Sequence, residues 1–160
     1  MAQMPEAAVM LGGQGPLTGE LDRSARDCGV ADRVHFVGRI AEADLPAYYH
    51  ACDAFCLSSV EPAEGFGIVQ LEAMASAKPV VCCELGNGVT WVNQDGITGL
   101  VVPPADPAAL AGAFRRLLAG PALAARLGEQ GRNRALSVFT VQAMARGTLD
   151  VYRAVLRGGN

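Results

Sequence analysis

Glu64 and Glu72 flank seven residues within the stretch EGFGIVQLEAMA, residues 64–75. If Gly67 opens a helix, Ile68, Leu71, Glu72 and Ala75 fall at the i, i+3, i+4, i+7 spacing of a buried stripe, so Glu72 sits where a leucine is expected. Ionised glutamate is rarely buried without a partner, because removing its charge from water is costly. Gly65 and Gly67, on either side of Phe66, let the backbone approach a ligand closely. They also leave the first amides of the next helix unpaired at the C-terminal end of a strand, where open α/β sheets bind ligands. Those amides and the helix dipole favour an anion such as a diphosphate. The two carboxylates suit neutral hydroxyls instead, and a nucleotide sugar offers both kinds of group. A second reading stands beside this one: Glu72 caps a helix or pairs with a basic side chain in a buried network.

The other sequence features carry less chemistry. LGGQGPL, residues 11–17, has Gly13 and Gly15 between a strand and a helix, but Thr18 stands at the third glycine position of a dinucleotide loop, and Pro16 suits the first position of the following helix. A tight strand-to-helix turn is the better reading. The five cysteines, Cys28, Cys52, Cys56, Cys82 and Cys83, form no Cys-x-x-Cys pair, and all but Cys28 lie in apolar segments, which reads as buried, reduced and structural. His35 and His50 are isolated, so no metal or triad cluster is expected.

Short apolar runs alternate with helix-period segments, and these elements must hold the two glutamates. Strands are expected at 7–11, 33–37, 54–57, 79–83 and 99–102, with helices at 17–28, at 44–52 and after Gly67, and a helical turn near GVTWVN. Strands alternating with helices mean a doubly wound parallel α/β sheet. Pro103 and Pro104 close the last strand, Asp106 is a helix N-cap with Pro107 at the first helical position, and a helical tail follows at 106–118, 121–137 and 140–156.

The chain has 160 residues, 51% hydrophobic and 18% charged, which suits one compact domain, and no linker or repeat divides it. No apolar run reaches membrane-spanning length and the N-terminus lacks the pattern of a signal peptide, so a cytoplasmic location is expected. The net charge of −3 hides an asymmetry: residues 1–114 carry 5 basic and 14 acidic side chains, residues 115–160 carry 8 basic and 2 acidic. The basic tail is expected to complement the acidic front of its own molecule; without interleaved aromatics it does not suggest nucleic acid.

Glu64 and Glu72, set in SSVEPAEGFGIVQLEAMASAKPVV, resemble the E-x7-E signature of the retaining glycosyltransferases of family 4, which have the GT-B fold. GGQGPL, DRVHFVGRI, LPAYYHACDAFCLSS and GNGVTWVNQDGITGLVVPPADPAAL follow in that family's order, so the resemblance covers most of residues 7–118. It is nearest to bacterial mannosyl- and related hexosyltransferases of surface polysaccharide assembly. It implies a Rossmann-like half of a GT-B fold that binds a GDP- or UDP-linked sugar without a cofactor or metal and transfers a hexose, such as mannose, to a glycan or lipid-linked acceptor.

Carried over by position, the resemblance implies that Glu64 contacts the donor sugar as the catalytic carboxylate. The Gly65–Ile68 segment, through the amides of Phe66, Gly67 and Ile68, would hold sugar and diphosphate, and Glu72 the ribose. Backbone at Gly38, Arg39 and Ile40 would lie beside the base and Gly13 near the phosphates. Arg39 and Lys78 are the basic side chains left for the diphosphate, and Ala77 stands where glycine is common. The family's acceptor domain and the first strand of its donor domain have no counterpart here. The expectation is therefore a single truncated nucleotide-sugar-binding domain, inactive by itself, that self-associates over an exposed strand edge and whose full-length enzyme contacts a membrane peripherally. The alternative is a non-catalytic sugar-nucleotide or protein-interaction module that keeps the fold.

Overall fold

The structure, a computed structural model, describes residues 4–158. Its strands are β1 (Val9–Gly12), β2 (Val34–Gly38), β3 (Phe55–Leu57), β4 (Val80–Cys83) and β5 (Gly99–Val102). Its helices are α1 (Thr18–Asp27), α2 (Leu45–Ala51), α3 (Ile68–Ala75), α4 (Gly88–Val92), α5 (Pro107–Ala119), α6 (Pro121–Val138) and α7 (Val141–Gly158), with a 3-10 turn at Ala31–Arg33. The expected elements are therefore present in the expected order. Asp106 is the N-cap of α5, its carboxylate accepting from the Ala109 amide at 2.8 Å, with Pro107 in the first turn. Pro16, by contrast, lies outside α1: the helix starts at Thr18, whose amide and hydroxyl both donate to Gly15 O.

The chain divides into two compact units, one running to Tyr48 and the other from Tyr49 onward. Instead of one sheet there are two parallel ladders, β1–β2 in the first unit and β3–β4–β5 in the second. Among the described residues β1 pairs only with β2 and β3 only with β4, so each has one edge without a strand partner. No described helix is long and apolar enough to cross a membrane.

In the second unit, β4 is buried at every residue, the mark of a central parallel strand covered on both faces. Val81 and Cys83 point with Leu100 and Val102 into a core closed by Ala113 and Leu117 of α5 and Leu127 of α6. Asn93, fully buried, donates to Val80 O and Leu100 O at 3.3 Å each and accepts from the Thr98 hydroxyl at 3.0 Å, which ties the end of α4 to strands β4 and β5. Helix α6 lies against α3 through small residues: a Cβ at Gly131 would sit 3.2 Å from Met74 Cγ, and one at Gly128 would collide with Ala77 O.

Two arginines of the basic tail bond carbonyl groups of the structure. Arg126 donates to Gly96 O and to the Gln130 carboxamide, and Arg134 to Trp91 O and Val92 O. Guanidinium groups here satisfy the carbonyls left over at turns and helix ends, which the charge count of a sequence does not register. Helix α7 has no buried residue, and its ion pair is internal, Arg153 to Asp150.

Helix α3 ends in a motif that explains Ala77. The Lys78 amide donates to Ala73 O and the Ala77 amide to Met74 O, while Ala77 has φ 55°. That is a Schellman cap with a left-handed residue, a conformation that costs an L-side chain about 1 kcal/mol and costs glycine little. Ala77→Gly is expected to raise unfolding free energy by about 0.5–1 kcal/mol in urea titrations, the gain offset in part by the entropy of the unfolded glycine.

Burial also acts on the thiols. It pushes Cys56 up to about 12 and Cys82 up to about 11, and raises Cys52 and Cys83 as well. In the unfolded chain these groups ionise near 9, so the folded state holds protons that the unfolded state loses as pH rises. Stability from this source is complete below pH about 9 and declines above it. Urea midpoints recorded from pH about 7.5 to 11 should fall, and the fall should be shallower for Cys56→Ala and Cys82→Ala. A slope identical to the parent's in both variants would show the thiols contribute nothing.

Candidate functional site

In the first unit, Gly13 and Gly38 meet at the C-terminal ends of their strands. The Gly13 amide donates to Gly38 O at 2.7 Å, and both residues take left-handed φ, +116° and +68°. The pairing shifts register between Leu11 and Gly12, and a Cβ on Gly12 would touch Ile40 Cδ1 at 2.9 Å. Gly13, Gly38 and Ile40 are thus gathered at one end of the ladder, while the Arg39 side chain is exposed.

In the second unit, the loop after β3 turns into α3 at Gly67, with φ +73° and ψ +64°. A side chain there would strike Leu57 Cδ2 at 2.5 Å and Gln70 Nε2 at 2.8 Å, so both conformation and space require glycine. Glu64 Oε1 accepts from the Gly67 amide at 3.1 Å and its Oε2 from the Ser59 hydroxyl at 3.4 Å. One of the three amides expected to hold a diphosphate is therefore occupied by the loop's own carboxylate. The amides of Phe66 and Ile68 make no hydrogen bond within the described residues.

The buried stripe of α3 is not the one the spacing suggests. Gln70, Ala73 and Met74 are the buried residues, whereas Ile68 is 67% exposed and Glu72 half-buried. These sets lie on opposite sides of the helix. Ile, Val, Leu, Ala and Met surround an eight-residue helix almost completely, so apolarity marks no face. The buried face is carried instead by a polar residue, whose Nε2 donates to Phe66 O at 3.2 Å and Val89 O at 3.4 Å. Gln70 Oε1 has no partner among the described residues.

Glu72 consequently does not occupy a leucine position, and among the described residues no cation forms an ion pair with it. Its Oε2 accepts from the Tyr49 hydroxyl at 2.7 Å. A phenol has one proton, so the carbonyl of Val69, 3.5 Å from the same oxygen, is a contact and not a second acceptor. Burial, then the hydrogen bond and charge of Glu72, push the Tyr49 phenol far above its ordinary value. Glu72 Oε1 has no hydrogen bond within the described residues and remains open to a hydroxyl. Lys78 lies at the other end of α3, roughly 12 Å along the helix from the Ile68 amide, where it donates to His50 O at 3.0 Å. It does not join this site.

Residues that the sequence did not single out brace the loop. Asn87 Nδ2 donates to Pro62 O at 3.2 Å and Glu64 O at 2.9 Å, while its Oδ1 accepts from Val89 N at 3.0 Å as the N-cap of α4. A Cβ on Gly88 would press on Gly65 O at 2.5 Å, so α4 packs directly on the glycine loop. The signal was the Gly-Asn-Gly run at 86–88, which combines an N-cap residue with two turn residues. Nothing in the sequence pairs Tyr49 with Glu72, 23 residues away.

The Glu72–Tyr49 contact generates a stability test. Glu72→Gln keeps an acceptor for the phenol and should change unfolding free energy by no more than about 1 kcal/mol. Tyr49→Phe strips the charged acceptor of its donor and should cost about 1.5–3 kcal/mol. Loss of about 3–5 kcal/mol in Glu72→Gln by urea denaturation, the size of a broken buried ion pair, would contradict this geometry.

Comparison with known proteins bears on this arrangement. A family model described as Glycosyl transferases group 1 matches residues 1–134. The O-antigen chain mannosyltransferase C of Escherichia coli is 32% identical over 155 residues, covering 97% of this chain and 42% of that protein. The GDP-mannose-dependent alpha-(1-6)-phosphatidylinositol monomannoside mannosyltransferase of Mycolicibacterium smegmatis is 39% identical over 139 residues, 84% of this chain and 36% of that protein. Among solved structures, Anabaena HepE in complex with UDP-glucose matches with a TM-score of 0.86 at 26% identity, over 96% of this chain and 43% of that one. The chain spans about two fifths of the length of the curated relatives it matches. The family model's match over most of the chain means that the chain belongs to the group 1 glycosyltransferases.

Proposed function

We propose that this chain is the nucleotide-sugar-binding part of a retaining glycosyltransferase that moves a hexose, with mannose favoured by the two mannosyltransferase relatives, onto a glycan or lipid-linked acceptor. The observation that carries this reading is the N-terminal end of α3, where the Phe66 and Ile68 amides are open between two carboxylates. Open amides at the positive end of a helix dipole suit the diphosphate. Glu72, with one oxygen anchored by Tyr49 and the other open, suits a ribose hydroxyl. Glu64 suits a hydroxyl of the donor sugar, with its hold on the Gly67 amide fixing where the carboxylate points.

In this reading the acceptor oxygen replaces the diphosphate oxygen on the anomeric carbon, and the acceptor proton leaves with the diphosphate. The charge that develops on the leaving group is met by amides already aimed at it, which lowers the barrier without reorganisation. The resemblance assigns Gly13 to the phosphates and backbone at Gly38, Arg39 and Ile40 to the base. The relative that depends on GDP-mannose and the structure with UDP-glucose leave GDP- and UDP-linked sugars as the two donor classes to test.

Calorimetric titration with GDP and UDP tests the proposal. One of the two should bind, and Glu72→Gln should weaken it by about 1.5–3 kcal/mol, the range for a hydrogen bond to a charged group, while stability holds. Equal affinity in parent and variant would refute the ribose assignment. The 160-residue chain should also transfer no sugar from GDP-mannose or UDP-glucose to added acceptors, since transfer requires donor and acceptor held together in near-attack geometry. Turnover above the hydrolysis background would overturn that part.

A further inference from the structure

The loop at 64–67 is held by aromatic contacts as well as by hydrogen bonds. The Phe66 ring lies 6.1 Å from Trp91 and 5.9 Å from Phe139, edge-on to the latter, and Trp91 and Phe139 meet edge to face at 4.9 Å. Three rings from three places in the chain therefore form a closed triangle: the glycine loop, helix α4, and the turn between α6 and α7. Phe139 is the C-cap of α6, and Thr140 immediately after it accepts from the Ala143 amide to start α7.

Arg134, one turn before the end of α6, fastens this triangle. Its guanidinium carbon lies 5.7 Å from the Trp91 ring centre and 5.2 Å from that of Phe139. The same group donates through Nη2 to Trp91 O at 2.7 Å and through Nε to Val92 O at 3.2 Å, filling carbonyls at the C-terminal end of α4. A planar, permanently charged fork can stack on two rings and donate to two carbonyls at once, and lysine cannot.

We propose that Phe139 and Arg134 are positioning residues for the glycine loop, setting the place of Phe66 and with it the directions of the Phe66 amide and the Glu64 carboxylate. Neither side chain needs to touch a donor to act this way. Phe139 works through the Phe66 ring, and Arg134 works through Trp91 and Phe139. That the loop is the donor loop rests on the function proposed above, so the test has one arm that uses no nucleotide.

In the first arm, hydrogen exchange is followed on the full chain without ligand. Phe139→Leu keeps an apolar side chain but removes the ring, and the hydrogen-bonded amides of the turn, Gly67 to Glu64 and Gln70 to Gly67 O, should exchange about two- to tenfold faster, the factor that an aromatic pair worth about 0.5–1.5 kcal/mol implies. Amides of β4 should be unchanged. Phe139→Tyr, which retains the ring, should restore the parent rate, and Arg134→Lys should shift the same amides in the same direction as Phe139→Leu. Unchanged loop exchange in Phe139→Leu, or an equal rise throughout β4, would overturn the proposal.

The second arm uses the chain's single tryptophan, Trp91. Saturating GDP or UDP should alter its emission in the parent. In Phe139→Leu the change should shrink and the affinity fall by about two- to tenfold, with Phe139→Tyr recovering both. A full emission change and parent affinity in Phe139→Leu would also overturn it. If the exchange arm behaves as expected and neither nucleotide binds the parent, the positioning role is upheld and the donor reading is the one that fails.

Discussion

A single left-handed residue governs the second unit's chemistry. Gly67 turns the chain from the loop after β3 into α3, and its φ of +73° with Leu57 and Gln70 crowding the missing Cβ leaves no other residue able to stand there. Because the helix has no side-chain cap of its own at this residue, the Gly67 amide needs an acceptor, and Glu64 Oε1 supplies it. The position of one carboxylate, the start of the helix and the direction of the neighbouring amides are thus consequences of one backbone conformation.

What surrounds that turn keeps it from moving. Asn87 reaches two loop carbonyls with one amide group and caps α4 with the other end of the same side chain. Gln70 spans from Phe66 O to Val89 O beneath the loop, and Gly88 allows α4 to approach the Gly65 carbonyl without a Cβ in between. These hydrogen bonds from Asn87 and Gln70 end on backbone groups, and the Phe66 ring adds side-chain contacts to Trp91 and Phe139. That is the arrangement expected where amides must be aimed before a charge develops near them.

The two carboxylates differ in how they are held. Glu64 is satisfied by the loop itself, through the Gly67 amide and the Ser59 hydroxyl, so it acts as part of the turn. Glu72 is held from outside its helix by a tyrosine that is 9% exposed, and its second oxygen is left free. A phenol that burial and a neighbouring charge keep protonated remains a donor to Glu72 as pH rises through the ordinary tyrosine range.

The sequence alone determined the order and type of the elements. β4 reads as a continuous apolar run because a central parallel strand is buried on both faces, and α5 announces itself by Asp106 and Pro107 because capping chemistry is local. Family membership was legible in the same way, since the spacing of Glu64 and Glu72 around two glycines is a property of one short segment. Tertiary structure alone decided which face of α3 is buried, because a short helix apolar on nearly all sides has no face in one dimension, and it chose the side that carries Gln70. It likewise brought Tyr49 to Glu72 and Arg134 to the carbonyls of α4, contacts across 23 and about 40 residues. Local rules act through neighbours along the chain, and these partners become neighbours only when helices pack.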